Sequence, residues 1–347
     1  MATGTLTIDL NAIRQNWQKL RSMSINDAAA VVKANAYGLG LKQVAEALYA
    51  EGARIYFVAT TEEGAELRSS LGEIPEIYVF SGHMTGDTEL IRNYNLIPLI
   101  NSIEQLSRHN ELLREKKFGV QLDTGMNRLG MEPMEWETVK ELALSLNPVL
   151  IMSHLACADE PDHKMNSKQL NTFLMLTNKI NIKKSLAATG GILLGPEYHF
   201  DLTRPGIGIY GCSPMKDCLP VLNIDIPVIQ IRDIESGETV GYGNTWTSPS
   251  KKRIATVSAG YADGIFRSTG QKTRLYFGEI GCPIIGRISM DLIGVDITSL
   301  TVEPDRLELI NSQQTIDKIA DGAGTIGYEF LTSLGQRYDR KYTGATE

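Results

Sequence analysis

Between residues 28 and 204 the chain repeats one pattern: a short apolar, often β-branched run, then an amphipathic, charged stretch. That repeat constrains the fold more than any other feature. The runs are Ala28–Val32, Ile55–Ala59, Ile77–Phe80, Ile97–Ile100, Phe118–Leu122, Val149–Ser153, Ser185–Ala188 and His199–Arg204. Helical patterns lie between them, among them Leu41–Ala50, Thr61–Ser70, Ser102–Lys117, Pro133–Leu146 and His163–Ile180. Strands that alternate with helices build a parallel sheet. Eight such runs are enough to close it, so the spacing predicts an α/β fold, a (β/α)8 barrel. An open doubly wound sheet is the alternative, but the first run lacks the glycine-rich turn of dinucleotide folds.

Past about Val221 the pattern changes. Val228–Ile231, Arg253–Val257, Arg274–Tyr276, Pro283–Ile288 and Leu292–Ile297 are short strand-like runs, separated by turn-rich stretches such as Glu235-Ser236-Gly237-Glu238. A second, all-β domain is expected there. Thr5–Leu10 also reads as a strand, and a helix over Asn11–Met23 leads from it into the barrel. The expected division is a barrel over residues 11–221 and a C-terminal β domain over 222–347, which the strand at 5–10 joins. A length of 347 residues agrees with two domains.

Charge and cysteine content narrow the function classes. The 34 basic and 41 acidic residues give a net charge of -7 with no concentrated basic run, which disfavours nucleic acid and anionic membranes as partners. No apolar stretch approaches a membrane span, and no basic-then-apolar signal pattern opens the chain. Cys157, Cys212, Cys218 and Cys282 are scattered without metal-ligand pairing, so free thiols in a reducing, cytoplasmic setting are expected and no metal site is.

In a barrel, chemistry gathers at the C-terminal ends of the strands. There the sequence places Lys33 after the first run and Asp123-Thr124-Gly125-Met126-Asn127-Arg128 after the fifth. His154 closes the sixth, Thr189-Gly190-Gly191 follows the seventh, and Arg204-Pro205-Gly206 ends the eighth. A lysine just past a buried strand can be desolvated, which lowers its pKa and makes the amine a usable nucleophile or base. A solvated loop lysine is the plainer reading of that segment taken by itself.

The stretches that carry most information are Val32-Lys33-Ala34-Asn35-Ala36-Tyr37-Gly38, Asp123-Thr124-Gly125-Met126-Asn127-Arg128-Leu129-Gly130 and Ser153-His154-Leu155-Ala156. Arg204-Pro205-Gly206-Ile207-Gly208-Ile209-Tyr210-Gly211, Gly260-Tyr261-Ala262-Asp263-Gly264 and Gly286-Arg287-Ile288-Ser289-Met290-Asp291 follow. Together they resemble the alanine racemase family, in order and along nearly the whole chain. The resemblance implies a pyridoxal 5′-phosphate (PLP) enzyme that interconverts L- and D-alanine, for peptidoglycan or for alanine catabolism. It implies a barrel followed by a β domain, and a head-to-tail homodimer whose active sites are shared between subunits.

Roles follow from the same resemblance, residue by residue. Lys33 would carry PLP covalently and act as one base, with Tyr261 as the second base on the opposite face of the substrate Cα. Two bases so placed exchange the proton without turning the substrate over. Tyr37, Thr189, Gly206, Ile207 and Tyr328 would hold the phosphate. Arg204 would face the pyridine nitrogen, which a guanidinium leaves unprotonated. His154 and Arg204 would supply a positive environment that lowers the Tyr261 phenol. Arg128 would contact the cofactor's phenolic oxygen and the substrate carboxylate, and Met290 that carboxylate through its backbone. Packing is the plainer reading for Tyr37, Tyr328 and His154, and a carboxylate partner for Arg204.

Four positions depart from the family pattern. Gln121 stands where many members have a lysine, carbamylated in some, that orients the arginine matching Arg128. Thr189 replaces a serine, Ser289 a cysteine and Leu39 a histidine. None removes a base. A broad-specificity or serine racemase on the same scaffold is the alternative within the family. A barrel-type PLP decarboxylase fits Gly260-Tyr261-Ala262-Asp263-Gly264 less well, and a non-catalytic PLP-carrying protein would keep Lys33 without needing Tyr261.

Overall fold

A computed structural model describes residues 3–344. They form two units, one of Ile13–Leu219 and one of residues 3–12 with 220–344.

In Ile13–Leu219 the strands Ala30–Val31, Ile55–Val58, Glu76–Val79, Ile97–Ile100, Gly119–Gln121, Leu150–Met152 and Lys184–Ser185 make a parallel sheet in chain order. Leu202–Thr203 closes it by pairing in parallel with Asp27–Ala28, and Ala29 and Val31 donate to the Thr203 and Pro205 carbonyls. On its other side Arg204 bridges in parallel to Ala188. The first strand is therefore broken at Ala29, one half serving the last strand and the other half the second. This is the barrel that the eight runs predict.

Its strands are buried on both faces, as the strands of a helix-wrapped sheet must be. Tyr56, Phe57, Val58, Val79, Leu99, Ile100, Val120, Leu150 and Ile151 have no exposed surface. The surrounding helices bury one stripe each; Leu41–Ala50 buries Leu41, Val44, Ala45, Ala47 and Leu48. Thr60 and Ser102 cap their helices by accepting the Glu63 and Gln105 N–H groups. The eighth run is shorter than its composition suggests. His199 is outside the strand because its backbone ends the turn Pro196–Tyr198, its N–H donating to the Pro196 carbonyl.

The other unit is an antiparallel β domain with one parallel pair. Leu222–Ile234 is its organising strand, pairing with Thr5–Asp9, Lys252–Val257 and Arg306–Ile310. The order Lys252–Val257, Ile293–Asp296, Ile280–Ile285, Arg274–Phe277, Arg306–Ile310, Leu222–Ile234 returns to Lys252–Val257 and closes a ring. Asp339–Thr343 pairs in parallel with Thr5–Asp9 outside that ring. Two short helices, Ile316–Ala323 and Gly327–Ser333, interrupt an otherwise β domain. The strand-like runs show neither, although Thr315 caps the first and Gly324 ends it in a left-handed conformation.

Candidate active site

Lys33 stands at the mouth of the barrel, where strand one ends. Ala34, Asn35, Ala36 and Tyr37 follow it with φ of 52°, 54°, 51° and 54°, a full left-handed turn without glycine. Each such residue costs about 1–2 kcal/mol, so the surroundings must hold the turn in place. They do so at both ends. Gly38 N–H donates to the Ala34 carbonyl, and Asn35 Oδ1 accepts the Leu41 N–H at 2.7 Å. Glu63 accepts the Ala34 N–H at 2.7 Å with one oxygen and the Ala59 N–H at 2.7 Å with the other.

The Lys33 amine lies 5.7 Å from the centre of the Phe80 ring. Burial lowers its pKa, Arg128 lowers it further, and Glu63 opposes both. Lys33, Ala59, Phe80, Gln121, Arg128 and His154 line a cavity of about 300 Å³. Such an amine is desolvated, unlike a solvated loop lysine.

Arg128 reaches this cavity because the chain after strand five folds back on itself. Asp123 Oδ1 accepts the Gly125 and Met126 N–H groups, and the Met131 N–H then returns to the Gln121 carbonyl. Gly130, at φ 110°, is required at the return: a Cβ there would sit 2.8 Å from the Leu122 backbone. Among the described residues Arg128 makes no ion pair. Gln121 donates to the Leu129 carbonyl at 3.2 Å, while its buried Oε1 has no partner among the described residues.

Behind the cavity, Arg204 is 1 % exposed. It donates to the Ser185 hydroxyl, to the Ser153 carbonyl at 2.7 Å and to His154 Nδ1 at 3.4 Å. No carboxylate pairs with it among the described residues, so the plainer reading of Arg204 fails. Burial brings its pKa to about 9, still charged near neutral pH. Burial first, then Arg204, Arg128 and Lys33, push His154 down to about 3. His154 was expected to add positive charge here. As a neutral imidazole it adds none, and the charge comes from the arginines.

Gln169 orders this region and escaped the sequence reading. Wholly buried on Lys164–Leu176, it donates to the His154 carbonyl and the Thr124 hydroxyl and accepts the Ala156 N–H. Its one signal in the sequence is a glutamine in register with Phe173 and Leu176 on the apolar stripe.

Tyr37, Thr189, Gly206 and Ile207 gather at strands seven and eight. The Thr189 hydroxyl accepts the Gly206 and Gly208 N–H groups at 3.1 and 3.3 Å. With both lone pairs engaged, its own proton is left to donate outward. A Cβ on Gly206 would meet the Tyr37 hydroxyl at 2.5 Å, and Tyr37 stacks on Tyr210 at 4.4 Å. This donor-rich cradle suits a small anion such as a phosphate.

In the β domain, Tyr261 and Met290 come together. Tyr261 N–H donates to the Ser289 carbonyl and Ala262 N–H to the Met290 carbonyl, both at 3.0 Å. Gly260 admits this contact because a Cβ would strike both carbonyls. Arg337 clamps the buried Asp263 at 2.8 and 2.7 Å and reaches Asp291 at 2.6 Å. The Tyr261 side chain is 42 % exposed. Tyr328, 39 % exposed, lies on Gly327–Ser333.

Comparison with known proteins identifies the family. Residues 8–214 match the alanine racemase N-terminal domain and residues 221–342 the alanine racemase C-terminal domain. An alanine racemase of Cereibacter sphaeroides is 57% identical over 344 residues, 99% of each chain. One from Rhodospirillum rubrum is 40% identical, over 100% of this chain and 97% of that one. The crystal structure of alanine racemase from Bartonella henselae with covalently bound pyridoxal phosphate is 36% identical with a TM-score of 0.94, covering 99% of this chain and 100% of that one. The biosynthetic alanine racemase of Pseudomonas aeruginosa is 34% identical with a TM-score of 0.92, over the same shares. Matched from residue 8 to residue 342, this chain belongs to the alanine racemase family of enzymes.

Proposed function

We propose that this chain is a PLP-dependent racemase that interconverts L- and D-alanine, acting as a cytoplasmic homodimer. The observation that carries the reading is one cavity lined by a desolvated lysine and by an arginine without an ion pair among the described residues, with the buried Arg204, which pairs with no carboxylate among them, behind His154. The donor set fits PLP: Thr189 with a proton to give, Tyr37 against Gly206, and the Ile207 N–H at the start of the turn Ile207–Tyr210 would bind the phosphate, with Tyr328 joining them. Bound PLP would supply an electron sink that acidifies the Cα hydrogen of an amino acid.

The chain's own residues then divide the work. Arg128 would bind the substrate carboxylate, aided by the backbone of Met290 of the partner subunit, and so fix Cα. Lys33 would hold the cofactor, and its free amine would move the proton on one face of Cα. Tyr261 of the partner subunit moves it on the other face. Arg204 would face the pyridine nitrogen and leave it unprotonated, which would weaken the ring as an electron sink. The D-alanine formed serves peptidoglycan or alanine catabolism.

Loss of optical rotation from L-alanine, followed with added PLP, tests the reaction. Lys33→Ala should abolish it together with the visible absorption of bound PLP and its fixation by borohydride. A fixed adduct that persists on another lysine would overturn the assignment.

A further inference from the structure

We propose that Glu63 is a positioning residue for Lys33, an inference that rests on Lys33 being the lysine that bears PLP. Thr60-Thr61-Glu62-Glu63 has the form of a capping box, in which the glutamate would return to the N–H of its own N-cap residue. Thr60 keeps its half of that motif, accepting the Glu63 N–H at 3.4 Å. Glu63 does something else. Its two oxygens accept the N–H of Ala59, at the end of strand two, and that of Ala34, the residue after Lys33.

The consequence is mechanical and electrostatic. Ala34 opens the left-handed turn, so its N–H cannot continue the hydrogen-bond pattern of the strand behind it. A charged acceptor at 2.7 Å fixes that peptide, and the peptide fixes the direction in which the Lys33 side chain leaves the backbone. The same carboxylate bridges the ends of strands one and two, so the lysine is registered on the barrel wall and not on a free loop. It is also the anion that acts on the Lys33 amine, against Arg128 on the other side, with His154 neutral.

Two variants separate geometry from charge. Glu63→Gln removes the charge and turns one acceptor into a donor; Glu63→Asp keeps the charge but is too short to bridge both N–H groups. In the full-length holoenzyme each should speed hydrogen exchange at the Ala34 amide about tenfold. Each should also lower kcat about tenfold with KM little changed, because Lys33 is misplaced while the Arg128 contact stays. Only Glu63→Gln should move the acid limb of the kcat profile, toward lower pH, since the displaced Lys33 amine then lacks the anion that opposes its deprotonation. Peptide mapping of borohydride-fixed PLP keeps the two ideas apart. Label on another lysine in the unmodified enzyme overturns the Lys33 reading. Label on Lys33, with unchanged Ala34 exchange and unchanged kcat in the variants, overturns the role of Glu63. Should Glu63→Gln fail to fold, the exchange rate and kcat of Glu63→Asp decide alone.

Discussion

Arg204 donates through Nη2 to Nδ1 of His154 at 3.4 Å, and so fixes which imidazole nitrogen is bare. A guanidinium has only donors, so Nδ1 accepts and the single proton of the neutral ring sits on Nε2. Burial first, and Arg204 second, keep His154 neutral.

This pair has a pH signature. The folded-state pKa of His154 is depressed to about 3 from an ordinary 6.5, so below pH 6.5 the unfolded chain takes up a proton that the folded one refuses. Its contribution to stability is present above pH 6.5 and is lost as the pH falls toward 3. Nitrogen-15 spectra should show the His154 ring neutral, with Nε2 protonated, from pH 5 to 9. A titration within that range would mean that Arg204 does not hold Nδ1.

Gln121 should make activity indifferent to carbon dioxide. An amide cannot form a carbamate, and the unpartnered Gln121 Oε1 offers only a neutral acceptor in the cavity it shares with Arg128. Assays in bicarbonate-depleted and bicarbonate-replete buffer should give the same rate. Reversible inactivation on depletion would show that another lysine has taken the role.

Tyr261→Phe should damage the two directions unequally. Removing the phenol removes the base for one face of Cα, whereas Lys33 still serves the other. By analogy with the family, exchange of the α-hydrogen of L-alanine with deuterated water should be lost and that of D-alanine should survive in part. Equal and small losses for both enantiomers would mean that Tyr261 only packs.

Subunit exchange tests the shared site. If Lys33 of one chain works with Tyr261 of the partner subunit, mixed dimers of Lys33→Ala and Tyr261→Phe carry one doubly altered site and one intact site. Random exchange makes about half the dimers mixed, so about a quarter of the unaltered activity should return, by symmetry. Exchange confirmed by mass without any activity would place both bases in one chain.

The sequence alone determined the scaffold, because strand and helix periods are local properties of the chain. The run Ile55–Ala59 is apolar throughout because its strand is covered on both faces, and that is visible without coordinates. It also located Lys33, Arg128, His154 and Arg204 at strand ends, since a (β/α)8 fold fixes which end carries chemistry. What surrounds each of them was decided by tertiary structure. Nothing near Lys33 in sequence announces that Glu63, thirty residues on, accepts the N–H of Ala34. Nor does the sequence show that Gln169 joins the loops after strands five and six, that Arg204 pairs with no carboxylate among the described residues, or that His154 is neutral. Burial and hydrogen bonding between distant segments set those properties, and they exist only once the barrel has closed and brought the strand ends together.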